Sequence, residues 1–247
     1  RLATAGWFLL DASLLGLDGA YRVSVLAPPD ELRAALALIS QPRAHRAVVV
    51  LMRVPRLGFG KSRLAATIGP ERAFELASTF LTDSLATTRD EDWVQVAAFT
   101  PADAALEVAR LAPSAVAVAQ PDGDLGARII AALDAGLREA SEVVLVGSDT
   151  PDIPRAVIDE AFAALRQHDV VLGPATDGGF YLIGVHATHP AMFRDVVWST
   201  AAVYEQTRAS LESLGWRIGT VQPWDDVDDE ASLLALASRI ARNGDAP

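Results

Sequence analysis

From about residue 46 the chain alternates short β-branched runs with longer amphipathic stretches, and this rhythm limits the folds open to it more than any other feature. Strands are predicted at Ala47 to Met52, Trp93 to Phe99, Ala115 to Ala119, Glu142 to Gly147, Asp169 to Gly173, Gly179 to His186 and Arg217 to Gln222. Between them Phe74, Ala77, Leu81 and Leu85 recur at helical spacing, as do Ile129, Ile130, Leu133 and Leu137, and then Ile158, Phe162 and Leu165. Gly69-Pro70 opens the first of these helices, and Asp152 reads as an N-cap ahead of an early-turn Pro154. Nearly continuous apolar strands joined by helices predict an α/β fold with a mostly parallel central sheet and helices on both faces. Ligands of such a sheet bind at the carboxyl ends of its strands.

Residues 1–45 do not join this rhythm and read as an N-terminal extension, with a strand at Tyr21 to Ala27 and a helix from Pro29-Asp30 through Ile39. Residues 46–242 form the main domain. With 51% hydrophobic and 21% charged residues among 247, the chain has enough apolar side chains for a large core and is not a disordered sequence. Its net charge of -11 repels phosphodiester backbones and anionic lipid, which argues against a general nucleic-acid binder but leaves a small anionic ligand open. There is no cysteine, hence neither a disulfide framework nor a thiolate ligand or nucleophile. The N-terminal GWFLL run is cut short by Asp11 and Asp18, so no membrane span is expected. A soluble, cytoplasmic protein fits these features. The four histidines form no i, i+4 pair and there is no G-x-S-x-G elbow, which disfavours a zinc site and a serine hydrolase.

Four segments carry candidate chemistry. The first, PRLGFGKSRL (Pro55 to Leu64), follows the most apolar strand. Gly58 and Gly60 let backbone amides approach a ligand, while Lys61, the only lysine of the chain, and Arg63 add charge to a phosphate cradle. An ordinary basic loop is the alternative. The second, EVVLVGSDTPDIP (Glu142 to Pro154), is a buried strand ending in Asp149, a carboxylate placed where it can hold Mg²⁺ or Mn²⁺ against a diphosphate. In the third, Val170 to Val185, Asp177-Gly178-Gly179 is both a hairpin signal and a way to present one carboxylate for acceptor binding or base catalysis. The fourth, PWDDVDDEASL (Pro223 to Leu233), has five acids among the six residues from Asp225 to Glu230, of which Asp228 is the candidate second metal ligand; a solvated helix start explains the run equally well. Weaker signals are QPDGDLGARI (Gln120 to Ile129), whose Asp124 and Arg128 could contact a nucleotide, and Trp198-Ser199-Thr200, an aromatic ahead of a helix cap.

Taken in order, GKSRLAATIG, the helix bearing Thr82-Asp83, QPDGDLGARI, VGSDTPDI, GPATDGGFYLIGV, VVWST and DDVDDEASL resemble the radical-SAM/selenodomain-associated transferase type 1 family, within the GT-A nucleotide-diphospho-sugar transferase superfamily. The resemblance runs from about residue 47 to 236. The Lys61 loop and the late acidic block also look like those of phospholactate guanylyltransferases and molybdopterin nucleotidyltransferases. What this implies is a Rossmann-like GT-A fold in which the glycine loop embraces the nucleotide, Asp149 is the metal-binding acid and Asp228 the later ligand. Thr150 stands where the family commonly has cysteine, and Asp229-Glu230 replace the usual Thr-Pro, which bears on the geometry of Asp228.

The expected activity is therefore a Mg²⁺- or Mn²⁺-dependent transfer from a nucleotide-activated donor, first a glycosyl group from a nucleoside diphosphate sugar to a small acceptor. The rival is nucleotidyl transfer from a nucleoside triphosphate, and a catalytically silent nucleotide-binding domain is the third reading. Lys61 and Asp177 are the catalytic candidates, Gly58, Gly60, Lys61, Arg63, Asp124 and Arg128 the nucleotide-binding ones, and Asp149 and Asp228 the metal ligands. Partners are the nucleotide donor and a small-molecule acceptor, with a homodimer left open.

Overall fold

The computed structural model describes residues 7–11, 20–24 and 44–244. The chain divides into two compact units, Arg1–Arg43 and Ala44–Pro247. In the first, β1 (Trp7–Asp11) pairs antiparallel with β2 (Ala20–Ser24), Trp7 lying opposite Ser24. β2 begins the strand predicted at Tyr21 to Ala27; the helix expected between Pro29 and Ile39 lies outside the described residues.

The second unit is built on a seven-stranded sheet of order β5-β4-β3-β6-β8-β7-β9. Its strands are β3 (Ala44–Arg53), β4 (Val94–Thr100), β5 (Val116–Ala119), β6 (Ala140–Gly147), β7 (Val170–Pro174), β8 (Phe180–Val185) and β9 (Ile218–Thr220). Every pairing is parallel except those of β8, which runs against both β6 and β7. The helices are α1 (Ser62–Ile68), α2 (Pro70–Thr87), α3 (Ala105–Leu111), α4 (Leu125–Glu139), α5 (Arg155–Leu165), α6 (Val203–Ser213) and α7 (Glu230–Gly244). Each strand predicted in this unit is present, with ends displaced by one to two residues in most cases, and Pro70 occupies the first turn of α2 as expected. No helix among the described residues is long and apolar enough to cross a membrane.

Alternation along β3 shows why both faces of the sheet are covered. Val48, Val50 and Met52 join a core with Leu81 and Leu85 of α2, Val108 of α3 and Phe162 of α5. Ala47 and Val49 point the other way, into a core with Ile129 and Leu133 of α4 and Leu211 of α6. A strand with two buried faces gains hydrophobic burial at every residue, roughly 2 kcal/mol for each large aliphatic side chain, and so reads as an unbroken apolar run. The apolar stripes of α2, α4 and α5 are the complement of those faces.

Close approach of α4 to the sheet rests on Gly136. A β-carbon there would lie 2.7 Å from Val143 Cγ1 and 2.8 Å from Val49 Cγ2. Helix propensity alone would make Gly136→Ala stabilising by about 1 kcal/mol, whereas overpacking between two rigid strands costs about 1–3 kcal/mol. Urea unfolding should therefore show a net loss for Gly136→Ala; a gain would mean that α4 can lift off the sheet without cost.

Candidate active site at the carboxyl edge of the sheet

The topology delivers the chemistry-bearing segments to one edge. β3 and β6 are parallel neighbours with Leu51 opposite Gly147, so the loop carrying Lys61 and the turn carrying Asp149 leave the sheet side by side. β7 points the same way as β6, which puts the Asp177 turn at the same edge, and β9 runs parallel to β7 and releases the segment that reaches Asp228. β4 and β6 lie on opposite sides of β3, the kind of switch point at which doubly wound sheets open a crevice.

Lys61 ties three of these segments together. Its Nζ lies 2.7 Å from Asp149 Oδ1, 2.7 Å from Asp228 Oδ1 and 2.7 Å from the carbonyl of Val227. The lysine side chain is only 8% exposed, while the two carboxylates remain 49% and 45% exposed. Burial by itself would pull the ammonium pKa down, but the two carboxylates outweigh it and hold Lys61 above its ordinary value. The backbone at Lys61 is left-handed (φ 44, ψ 40), and Gly58 and Gly60 on the same loop have φ of 81 and 80. For a residue with a β-carbon that conformation costs on the order of 1 kcal/mol, which the charge-assisted hydrogen bonds of the ammonium offset.

Each acid has its own support. Thr150 Oγ1 donates to the Gly147 carbonyl, Ser84 Oγ donates to the carbonyl of Ser148, and the amide of Ser148 donates to Leu51, which fixes the turn carrying Asp149. Val227 is fully buried against Phe80 and Leu236, and its amide donates to the Asp149 carbonyl at 2.9 Å. One apolar side chain thus anchors the backbone beside which Asp228 projects. The Asp229 carboxylate accepts from the Ser232 amide at 2.9 Å, and Ser232 Oγ accepts from the amides of Asp228 and Asp229. Asp229 therefore supplies a cap at the start of α7 and leaves Asp228 free to face Lys61. Asp177 stands in a tight turn, its Oδ1 accepting from the Gly179 amide at 2.8 Å. Gly178 (φ 89) is packed so closely that an added β-carbon would lie 2.1 Å from the Ala201 carbonyl oxygen, and Gly178 accepts from the Tyr204 amide, which locks this turn to the segment after Trp198.

The acids and Lys61 border a cleft of about 670 Å³. Of the residues expected from sequence, Gly60, Lys61, Arg63, Arg128, Asp149, Asp177 and Asp228 line it. Gly58 faces a smaller cavity of about 190 Å³ between the loop and α2. Asp124 does not line the cleft and instead caps α4, accepting from the Ala127 amide at 2.8 Å. Asp152 is not the N-cap of α5; Pro154 holds that position, and Asp152 pairs with Arg239 at 2.7 Å and accepts from the Trp224 indole at 3.2 Å. Trp198 packs on Phe193 and Phe180 as expected of an aromatic, but the cap of α6 is Ala202, beyond both Ser199 and Thr200.

Asp226 was not distinguishable within its acidic run, yet it lines the cleft and has the most altered carboxyl group there. Burial, then the charges of Asp228, Asp177 and Asp149, push its pKa up to about 6 against the pull of Lys61. Asp225, by contrast, accepts from Thr176 Oγ1 at 2.6 Å and from the Thr176 amide, binding the segment after β9 to the Asp177 turn.

Known structures share this fold. Over 78% of the chain and 86% of its counterpart, the structure superposes with a TM-score of 0.72 and 30% identity on a candidate nucleotide-diphospho-sugar transferase from Desulfovibrio desulfuricans G20. The chain belongs to the GT-A-like nucleotide-diphospho-sugar transferase superfamily. More distant structures share the fold: CMP:2-keto-3-deoxy-manno-octonic acid synthetase, solved with CTP (12% identity, TM-score 0.53, 81% of this chain and 100% of that one), and 4-diphosphocytidyl-2C-methyl-D-erythritol synthase from Anaerococcus prevotii DSM 20548 (9%, 0.52, 80% and 96%). Residues 83–200 match a family model described as an uncharacterized protein conserved in bacteria (DUF2064). No protein with a curated description matches the chain by sequence.

In this GT-A-like chain the donor chemistry at Asp149 and Asp228 fits a hard divalent cation. Two carboxylates from different segments already share one positive group, and Mg²⁺ is commonly bound by one or two carboxylates with the rest supplied by phosphate and water. Among the described residues no cluster of three or more His, Asp or Glu side chains that could hold a metal ion occurs. Because the raised pKa of Asp226 favours its neutral form in the folded chain, ionisation costs stability as pH rises from about 4 to above 6. Without divalent cation, Asp226→Asn should raise unfolding stability at pH 7.5 by about 1–2 kcal/mol after allowance for partial exposure. The gain should vanish near pH 4, as urea titrations at the two pH values would show.

Proposed function

We propose that the chain is a divalent-metal-dependent transferase that moves a glycosyl group from a nucleoside diphosphate sugar to a small acceptor. The observation that carries this reading is the convergence of Asp149 and Asp228 on Lys61 at the mouth of the cleft. Lys61 and Arg63, with Arg128 on α4, meet the phosphate charge, and the backbone around Gly60 allows close approach. Asp177 uses one oxygen to hold its turn and keeps the other to accept the proton of an acceptor hydroxyl. As the acceptor oxygen bonds to the anomeric carbon, the bond to the diphosphate breaks and its electron pair leaves with the nucleotide. Mg²⁺ or Mn²⁺ held by Asp149 and Asp228 would supply neutralisation of the charge on that leaving group. Within the superfamily, the motifs carried by this chain support membership of the radical-SAM/selenodomain-associated type 1 group, and the absence of a spanning helix among the described residues is compatible with cytoplasmic work on small molecules.

A second reading has an observation of its own. The one lysine of the chain is buried at the acids while Arg53, Arg63 and Arg128 line the cleft without ion-pair partners among the described residues, a density of positive charge that also suits a triphosphate and nucleotidyl transfer. Incubation with Mn²⁺ and panels of nucleotide sugars and triphosphates separates the two. Nucleoside diphosphate released with a glycosylated product is expected; pyrophosphate would establish the second reading, and the lack of any product would refute both. Asp149→Asn and Asp228→Asn should each lower kcat/KM by about 100-fold or more while leaving the circular dichroism spectrum unchanged. Full activity in either variant would remove that residue from the site.

A further inference from the structure

Beyond Asp177 the cleft turns apolar. Phe180, which opens β8 directly after the Asp177 turn, lines it together with Trp198, Leu125 and Ile129. Phe180 stacks on Phe193 with ring centroids 6.2 Å apart, and Trp198 lies 5.5 Å from Phe193 and 6.5 Å from Phe180. The three rings rest on the core that contains Ile129, while Phe180 and Trp198 keep part of their surface open. Their position is fixed from two sides. α4 comes so close that a β-carbon on Gly126 would lie 3.1 Å from Phe193 Cβ and 3.1 Å from Trp198 Cζ2. On the other side, the contact of Gly178 with Ala201 and Tyr204 ties the segment after Trp198 to the turn that carries Asp177.

Polar groups at this end of the cleft have little to offer a ligand. Tyr181 donates its hydroxyl proton to the Gln222 carbonyl at 2.7 Å, Thr200 to that of Val197 at 2.8 Å and Thr150 to that of Gly147 at 2.9 Å. Arg128, beside Ile129 on α4, faces the donor phosphates in the function proposed above. What stays open is the second oxygen of Asp177, the half-buried Asp226 and the hydroxyl of Ser199, whose backbone is left-handed (φ 64). A ligand rich in hydroxyls would find too few donors here, and its polar groups would lose water without gaining partners.

We propose that this wall is the acceptor subsite and that the acceptor is an alcohol carried by an apolar ring, aromatic or alicyclic, with the ring against Phe180 and Trp198 and the hydroxyl at Asp177. The proposal rests on the glycosyl transfer described above and names the class of its acceptor. The hydroxyl proton passes to the free oxygen of Asp177, the acceptor oxygen bonds to the anomeric carbon, and the nucleoside diphosphate departs with the electron pair of the broken bond. Burial of a flat apolar body against two fixed rings supplies the binding energy that holds the hydroxyl in place.

The test uses the full chain with Mn²⁺ and each nucleotide sugar of the donor panel. Benzyl alcohol and cyclohexylmethanol are compared with glycerol and methyl glucoside, and nucleoside diphosphate and glycosylated alcohol are measured. The ring alcohols should show kcat/KM about 10-fold or more above the polyols. This comparison is made on the unaltered protein and stands apart from any question of folding. Trp198→Ala and Phe180→Ala, checked by circular dichroism, should each raise KM for the better ring alcohol roughly 10-fold and leave KM for the donor within about twofold, whereas Trp198→Phe should recover most of the loss. Polyols used as well as the ring alcohols, a folded Trp198→Ala with unchanged acceptor KM, or a donor hydrolysed without transfer to any probe would overturn the acceptor class and leave the nucleotide site standing. No nucleoside diphosphate released from any donor would overturn both this assignment and the proposed function.

Discussion

A single ammonium group between two carboxylates organises this molecule. Asp149 and Asp228 are separated by most of the second half of the chain, and unpaired they would repel each other at the edge of the sheet. Lys61 holds them at 2.7 Å each and is itself almost fully withdrawn from water. An isolated buried charge of this kind would cost several kcal/mol, so the lysine and the acids are stable only as a set. The left-handed backbone of Lys61, the two glycines before it and the buried Val227 anchor all serve to bring that set to one point. The same arrangement has chemical value. Under the proposed function, a divalent ion held by Asp149 and Asp228 would take over the charge balance that Lys61 now provides, and the ammonium would then be available to a diphosphate.

The sheet supplies the rigid frame for this exchange. Strands β3, β6, β7 and β9 all end at the same edge, so segments remote in sequence become neighbours without long excursions. Antiparallel β8 makes this possible on the far side, because it returns the chain through a short Asp-Gly turn and places Asp177 at the edge without a crossover helix. Around the cleft the negative charge of Asp149, Asp177, Asp226 and Asp228 faces the arginines that line the same space. The protein as a whole carries a net charge of -11, so attraction of an anionic donor is a local property of these side chains rather than of the overall field.

Much of the fold was legible because buried parallel strands leave unbroken apolar runs, and because the stripes on α2, α4 and α5 repeat at helical spacing. Lys61, Asp149 and Asp177 could be singled out for the same reason: each follows a strand at the edge where α/β sheets bind ligands. The meeting of Asp149 with Asp228 was one of two even readings of the acidic run, and the bridge that Lys61 makes between them could not be read from spacing. Two local rules failed through long-range competition. Asp152 looked like a cap, but Arg239, far along the chain, provides a stronger partner. Asp124 looked like a nucleotide contact and proved to be a cap. Asp226 was invisible among five similar acids, since only burial and the neighbouring charges set it apart.

The most direct test of the central arrangement is a crystal structure grown with Mn²⁺ and a nucleoside diphosphate, with anomalous scattering used to locate the metal. The account predicts one manganese within coordination distance of oxygens from both Asp149 and Asp228, with the Lys61 ammonium moved onto the diphosphate. Manganese bound by neither carboxylate, with Lys61 still bridging them beside a bound nucleotide, would contradict it.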